Sequence, residues 1–88
     1  MNLIVDEAVR WSDLAATVRA SGGEHLEGVV YKETYRHPEQ KDGPGKKRLI
    51  FSLAIRSKNR TLTSEDADQV RNAVVAACTQ HHAAKLLG

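Results

Sequence analysis

At 88 residues, with a net charge of +2, the chain has room for one two-layer core and none for a second domain. Its 41% apolar and 27% charged content is that of a globular protein, which sets disorder aside. A lone cysteine, Cys78, rules out an internal disulfide, and no stretch approaches the roughly 20 apolar residues of a membrane span or the layout of a signal peptide, a pattern that fits a reducing cytoplasm.

The first element is the apolar run Asn2-Leu3-Ile4-Val5, which reads as a buried strand; it starts so close to the first residue that the chain reads as a domain excised from a longer protein. In "WSDLAATVRASGG", Ser12 is placed to cap a helix, Leu14 and Val18 share one face, Gly22-Gly23 stops it, and Trp11 packs at the entry. Leu26 to Arg36 is rich in β-branched and aromatic residues and reads as a second strand, followed by a loop, "HPEQKDGPG", that holds both prolines. "RLIFSLAIR" alternates cleanly, with Leu49, Phe51, Leu53 and Ile55 on one face and Arg48, Ile50, Ser52, Ala54 and Arg56 on the other.

A longer helix follows. Thr63 and Asp66 have the spacing of a capping box, Glu65 and Asp66 suit the positive end of the helix dipole, and Ala67, Val70, Val74, Ala77, Cys78 and His81 recur at helical spacing. The tail "AAKLLG" fits either an extension of that helix or a last strand. The order is strand, helix, strand, strand, helix, strand: an α+β, ferredoxin-like βαββαβ sandwich, with a four-stranded antiparallel sheet and two helices on one face. The other face of such a sheet is left open, which an antiparallel sheet tolerates.

Charge is concentrated in the middle. Between Lys32 and Arg60 nine basic residues stand against three acids, a local balance of +6. On charge alone this suits a solvated hairpin better than a polyanion partner. The four histidines form no His-Glu-x-x-His pattern and have one cysteine to help them, so a metal site is disfavoured. His81-His82 suits the end of the long helix, where a cation is favourable, and Cys78 reads as a small core residue. The glycines at 43 and 45 lack the helix that a phosphate-cradling loop needs directly after it.

Three strings in register carry a resemblance over nearly the whole chain: Glu33-Thr34-Tyr35-Arg36-His37, Gly45-Lys46-Lys47-Arg48-Leu49, and Arg60-Thr61-Leu62-Thr63 with Glu65. They resemble the Asp-x-Tyr-Arg-Gly, Gly-Lys-Lys-Ser-Leu and Arg-Thr-Leu-Thr strings of the C-terminal ferredoxin-fold anticodon-binding domain of the phenylalanyl-tRNA synthetase beta subunit. The resemblance implies residues 1–88 to be such a domain, a tRNA-binding module that performs no catalysis and needs no cofactor. It implies that the open sheet face docks the anticodon region of phenylalanine tRNA, while aminoacylation occurs on the alpha subunit of a cytoplasmic (αβ)2 ligase. Carried over by position, Glu33 takes the place of an Asp that accepts hydrogen bonds from a base, and Tyr35 that of a Tyr on which a base stacks. Arg48 replaces a small Ser, exchanging a short hydroxyl for a long cation. Arg36, Lys46, Lys47 and Arg48 are then expected to neutralise phosphates.

Facing is where the residues and the resemblance disagree. Strict alternation puts Tyr35 on the buried side with Val29, whereas base stacking needs it exposed; a bulge near Val29-Val30 would turn Tyr35 out and Val30 in. Two rivals share the architecture. An RNA-recognition motif calls for paired aromatics in the third strand, where Phe51 stands alone. A small-molecule regulatory module calls for close ligand approach at the first strand-helix loop, where "DEAVRWS" has no glycine.

Overall fold

The computed structural model describes every residue except Lys58, Arg60 and Gly88. Lys58 and Arg60, counted above in the basic cluster, and the Arg60 that opens the Arg-Thr-Leu-Thr string therefore lie outside the described residues. The elements are β1 (Asn2–Asp6), α1 (Trp11–Ser21), β2 (Leu26–Tyr35), β3 (Lys46–Ile55), α2 (Ser64–His82) and β4 (Lys85–Leu86). They form one four-stranded sheet in the order β2-β3-β1-β4 with every pairing antiparallel, which is the ferredoxin-like βαββαβ arrangement expected.

One face of the sheet makes the core with the helices. Leu3 and Val5 of β1 and Leu49 and Phe51 of β3 are fully or almost fully buried against Leu14 and Val18 of α1 and Val74 and Cys78 of α2. Each such aliphatic or aromatic side chain contributes about 1.5–3 kcal/mol on burial.

Capping chemistry sets the start of α2, and packing sets that of α1. Thr63 caps α2 as expected: its Oγ1 accepts from the Asp66 backbone N–H, and the Asp66 carboxylate accepts from the Thr63 backbone N–H. Ser12 does not cap α1. The helix begins one residue before it, at Trp11, and the N-cap position is held by Arg10 in extended conformation without a side-chain bond. The cause is packing: the Trp11 ring lies 5.3 Å from Phe51 and 5.2 Å from Tyr31, centroid to centroid, and this anchor draws the first turn back past the serine. His81, placed at helical spacing with the core residues, is exposed.

The ambiguous tail resolves as a strand. Ala83 adopts a left-handed conformation (φ 51) and its N–H bonds the Thr79 carbonyl, ending α2; Ala84 then buries its methyl in the core. An alanine in that region costs roughly 1–2 kcal/mol. The cost is offset by Ala84, by the Thr79 hydroxyl donating to the Ala84 carbonyl, and by the pairing of β4 with β1.

Candidate nucleic-acid interface

The open face is built by register. Residues opposite each other in an antiparallel pair point to the same side. Val29 faces Leu53 and Tyr31 faces Phe51, so both lie on the helix side. The register then shifts between Tyr31 and Glu33, leaving Lys32 as an extra residue, after which Glu33 faces Ile50, Thr34 faces Leu49 and Tyr35 faces Arg48. This bulge reconciles the two demands that strict alternation set against each other: Val29 is inside and Tyr35 is outside. It falls later than the expected position at Val29-Val30, and Val30 is therefore not turned in but stands 57% exposed on the open face. The later position lets Tyr31 join the Trp11–Phe51 cluster before the strand changes sides.

Reading across the strands, Tyr35, Arg48, Ile4 and Lys85 form one row of the open face, and Glu33, Ile50 and Asn2 form the next. Val30 and Ser52 follow, while Lys46 and Asp6 close the opposite end. Tyr35 is 37% exposed. The Arg48 guanidinium carbon sits 5.1 Å from the centre of its ring, and the His37 ring meets its edge at 6.1 Å.

The expected phosphate cations are distributed differently from one another. Arg36 donates from Nε and Nη2 to the Glu7 carboxylate, at 2.9 and 2.5 Å, an ion pair that straps the end of β2 to the end of β1 across the start of β3. Lys46 bonds Asp6, its cross-strand partner, at 2.5 Å. Arg48 holds Asp42 with two parallel bonds, Nε to Oδ2 at 2.7 Å and Nη2 to Oδ1 at 2.9 Å. These contacts hold the Glu7 and Asp42 carboxyls below the usual carboxylate range, through the guanidinium hydrogen bond in each case, and raise the arginines in return.

Lys47 stands apart from this rim. It lies opposite the buried Val5 on the helix side and is only 9% exposed, because it has the parity of Leu49 and Phe51. Lys85 takes a place on the open face that sequence reasoning missed, since its position depends on the tail forming β4 and not more of α2. Among the described residues it is exposed and no ion pair engages it.

Cys78 is buried in the core, where desolvation pushes its thiol up to about 11. His82 lies far from the face, bonded to Thr17 at 2.7 Å between the helices. Among the described residues no three His, Cys, Asp or Glu side chains are grouped to hold a metal ion, and no helix is long and apolar enough to cross a membrane.

Residues 1–87 match the family model described as the ferredoxin-fold anticodon binding domain. The chain is 45% identical over 87 residues to the phenylalanine–tRNA ligase beta subunit of Rhodopirellula baltica, covering 99% of this chain and 13% of that protein. Against the beta subunit of Streptomyces avermitilis it is 37% identical, covering 96% of this chain and 10% of that protein. With that of Corynebacterium glutamicum it shares 42% identity, over 78% of this chain and 8% of the relative. The chain thus spans about a tenth of the length of the curated relatives it matches.

Proposed function

The chain belongs to the ferredoxin-fold anticodon-binding domain family, and on that premise we propose that it is the module with which a phenylalanine–tRNA ligase beta subunit reads the anticodon region of phenylalanine tRNA on the open face of its sheet. It acts as a binding part of a cytoplasmic ligase whose aminoacylation chemistry is carried by the alpha subunit of an (αβ)2 assembly.

The observation that carries this reading is the Lys32 bulge, which turns Glu33 and Tyr35 together onto an uncovered face. An unstacked anticodon base offers a flat face and an unsatisfied edge. Tyr35 supplies the ring for the first, worth about 1–3 kcal/mol per stacked base, and the Glu33 carboxylate, beside it on the same face, is an acceptor for the amino or imino donors of the second. Arg48, in the Tyr35 row, adds guanidinium donors. Lys85, at the far end of that row, supplies a charge for the backbone; Arg36 and Lys46 do so only by exchanging their carboxylate partners for phosphate. The regulatory-module reading is disfavoured by the first strand-helix loop, where Glu7 is already held by Arg36.

A nuclear magnetic resonance titration of the domain with the anticodon stem-loop of phenylalanine tRNA tests the proposal. Perturbed amide signals are expected in the rows of Tyr35, Glu33, Arg48, Ile50 and Lys85. Perturbations confined to the α1 and α2 surfaces, or none at millimolar RNA, would remove it.

A further inference from the structure

We propose that Asp42 is a positioning residue for base recognition: by holding Arg48 against the ring of Tyr35 it withholds that cation from phosphates and fixes one composite platform for the base. The inference rests on the function proposed above and adds to it a residue outside the strands.

Three observations meet at this point. Asp42 lies in the loop between β2 and β3, yet its side chain is only 10% exposed, because the loop folds back onto β3. Its two carboxylate oxygens meet Nε and Nη2 of Arg48 in the planar, parallel arrangement that a guanidinium fork favours. The same guanidinium lies over the Tyr35 ring at 5.1 Å, within the range of cation–π attraction.

The consequences follow from charge and shape. A carboxylate with both oxygens on one guanidinium cancels most of its field, so Arg48 releases little counterion on meeting RNA and contributes little to salt-dependent affinity. One side of the Tyr35 ring is covered, which leaves the opposite side for a base and removes the ring's freedom to turn. Two of the five guanidinium N–H groups are taken by Asp42, and the Nη1 edge makes no hydrogen bond among the described residues, so it remains available to a base edge. Without Asp42 the same arginine becomes a mobile surface cation that any phosphate attracts.

Asp42→Asn, Arg48→Ser and the double variant separate the possibilities. Dissociation constants for the phenylalanine anticodon stem-loop and for an unrelated hairpin are measured by fluorescence anisotropy across a salt series, with thermal melting to confirm the fold. Asp42→Asn is expected to tighten binding of the unrelated hairpin, to lower the preference for the cognate stem-loop several-fold, and to steepen the salt slope by about 0.7, one phosphate's worth for a single strand. In the Arg48→Ser background the same Asp42→Asn change is expected to leave the preference unaltered, because Asp42 acts through Arg48.

A preference unchanged by Asp42→Asn, or a loss for both RNAs alike with the slope unmoved, overturns the proposal and leaves Asp42 a loop-stabilising residue. An effect of Asp42→Asn on the preference that persists in the Arg48→Ser background also overturns it. A wild-type domain that binds the stem-loop no better than the unrelated hairpin removes the anticodon-reading function, and this inference with it. A wild type that discriminates while Asp42→Asn discriminates equally removes only the inference.

Discussion

Replacing Tyr35 with alanine tests the platform itself. The residue sits at the end of β2 with 37% of its surface exposed and outside the core cluster, so truncation leaves the packing of Phe51, Leu49 and the helices untouched. One side of the ring already faces Arg48. A base therefore gains a single ring face, and the expected loss lies in the lower part of the stacking range, about 1–2 kcal/mol, a weakening of roughly 5- to 30-fold. Tyr35→Phe keeps that face and is expected to bind nearly as the wild type does, since the phenol contributes no contact that the stack requires. Anisotropy titrations at one fixed salt concentration, run in parallel with the cognate stem-loop and an unrelated hairpin, give the comparison. The reasoning requires Tyr35→Ala to weaken the cognate RNA more than the unrelated one. Equal losses for both, or a loss as large for Tyr35→Phe as for Tyr35→Ala, would refute the stacking role.

The face and the core make further predictions. Lys85→Ala is expected to weaken both RNAs alike and to reduce the salt slope by about 0.7, whereas Lys47→Ala, on the helix side, leaves the slope unchanged; the anisotropy salt series checks both. Deleting Lys32 joins the Tyr31–Phe51 pair directly to the Glu33–Ile50 pair, so the facing of Tyr35 and cognate binding are expected to survive. Deleting Thr34 forces either Glu33 or Tyr35 against Leu49, and binding is expected to be lost; anisotropy with circular dichroism as a fold check distinguishes the two deletions. Burial raises the Cys78 thiol from its ordinary value of 9.0 to about 11. Between those values the folded chain keeps a proton that the unfolded chain has lost, so this contribution to stability is complete below pH 9 and declines as pH rises through 11. Urea unfolding at pH 8 and pH 10.5 is expected to show a smaller decline for Cys78→Ala than for the wild type.

The elements were legible in the sequence because their signals are local. The alternation of β3, the capping box at Thr63 and the turn residues of the β2–β3 loop each need only a few neighbours to be read. The start of α1 was not, because Ser12 is a good cap chemically but Trp11 finds two aromatic partners, one from β3 and one from β2, that only the folded sheet supplies. The fate of the tail was equally non-local: Ala83 enters the left-handed region because Ala84 has a core to enter.

Of the site, the strand positions of Glu33, Tyr35 and Arg48 could be read, and the need for a bulge in β2 was visible as a conflict between hydrophobic pattern and resemblance. Its place was not, since it depends on Tyr31 packing against Trp11. Lys47 illustrates a signal that was available and unused. Extending the β3 alternation back by one pair puts it with Leu49 and Phe51, on the helix side of the sheet. Asp42 left no such signal, for a loop carboxylate that folds back onto an arginine six residues later looks in sequence like any acid in a turn.

The pairing of cations with carboxylates bears on how such a face achieves selectivity. Arg36–Glu7 and Lys46–Asp6 are exposed pairs that solvent screens and that contribute little, so an arriving phosphate can displace the carboxylate at little cost. On the proposed function they would offer a polyanion weak, salt-sensitive attachment along the rim. Arg48–Asp42 is the more sheltered pair, with the carboxylate nearly out of solvent. Opening it leaves Asp42 partly buried and uncompensated, a state that breaking such pairs makes expensive. The cation nearest to Tyr35 is thus the one least available to phosphate. On the proposed function, a rim that attracts any RNA weakly, around a ring whose neighbouring charge is already satisfied, would leave discrimination to a base stacked on Tyr35 with its edge toward Glu33.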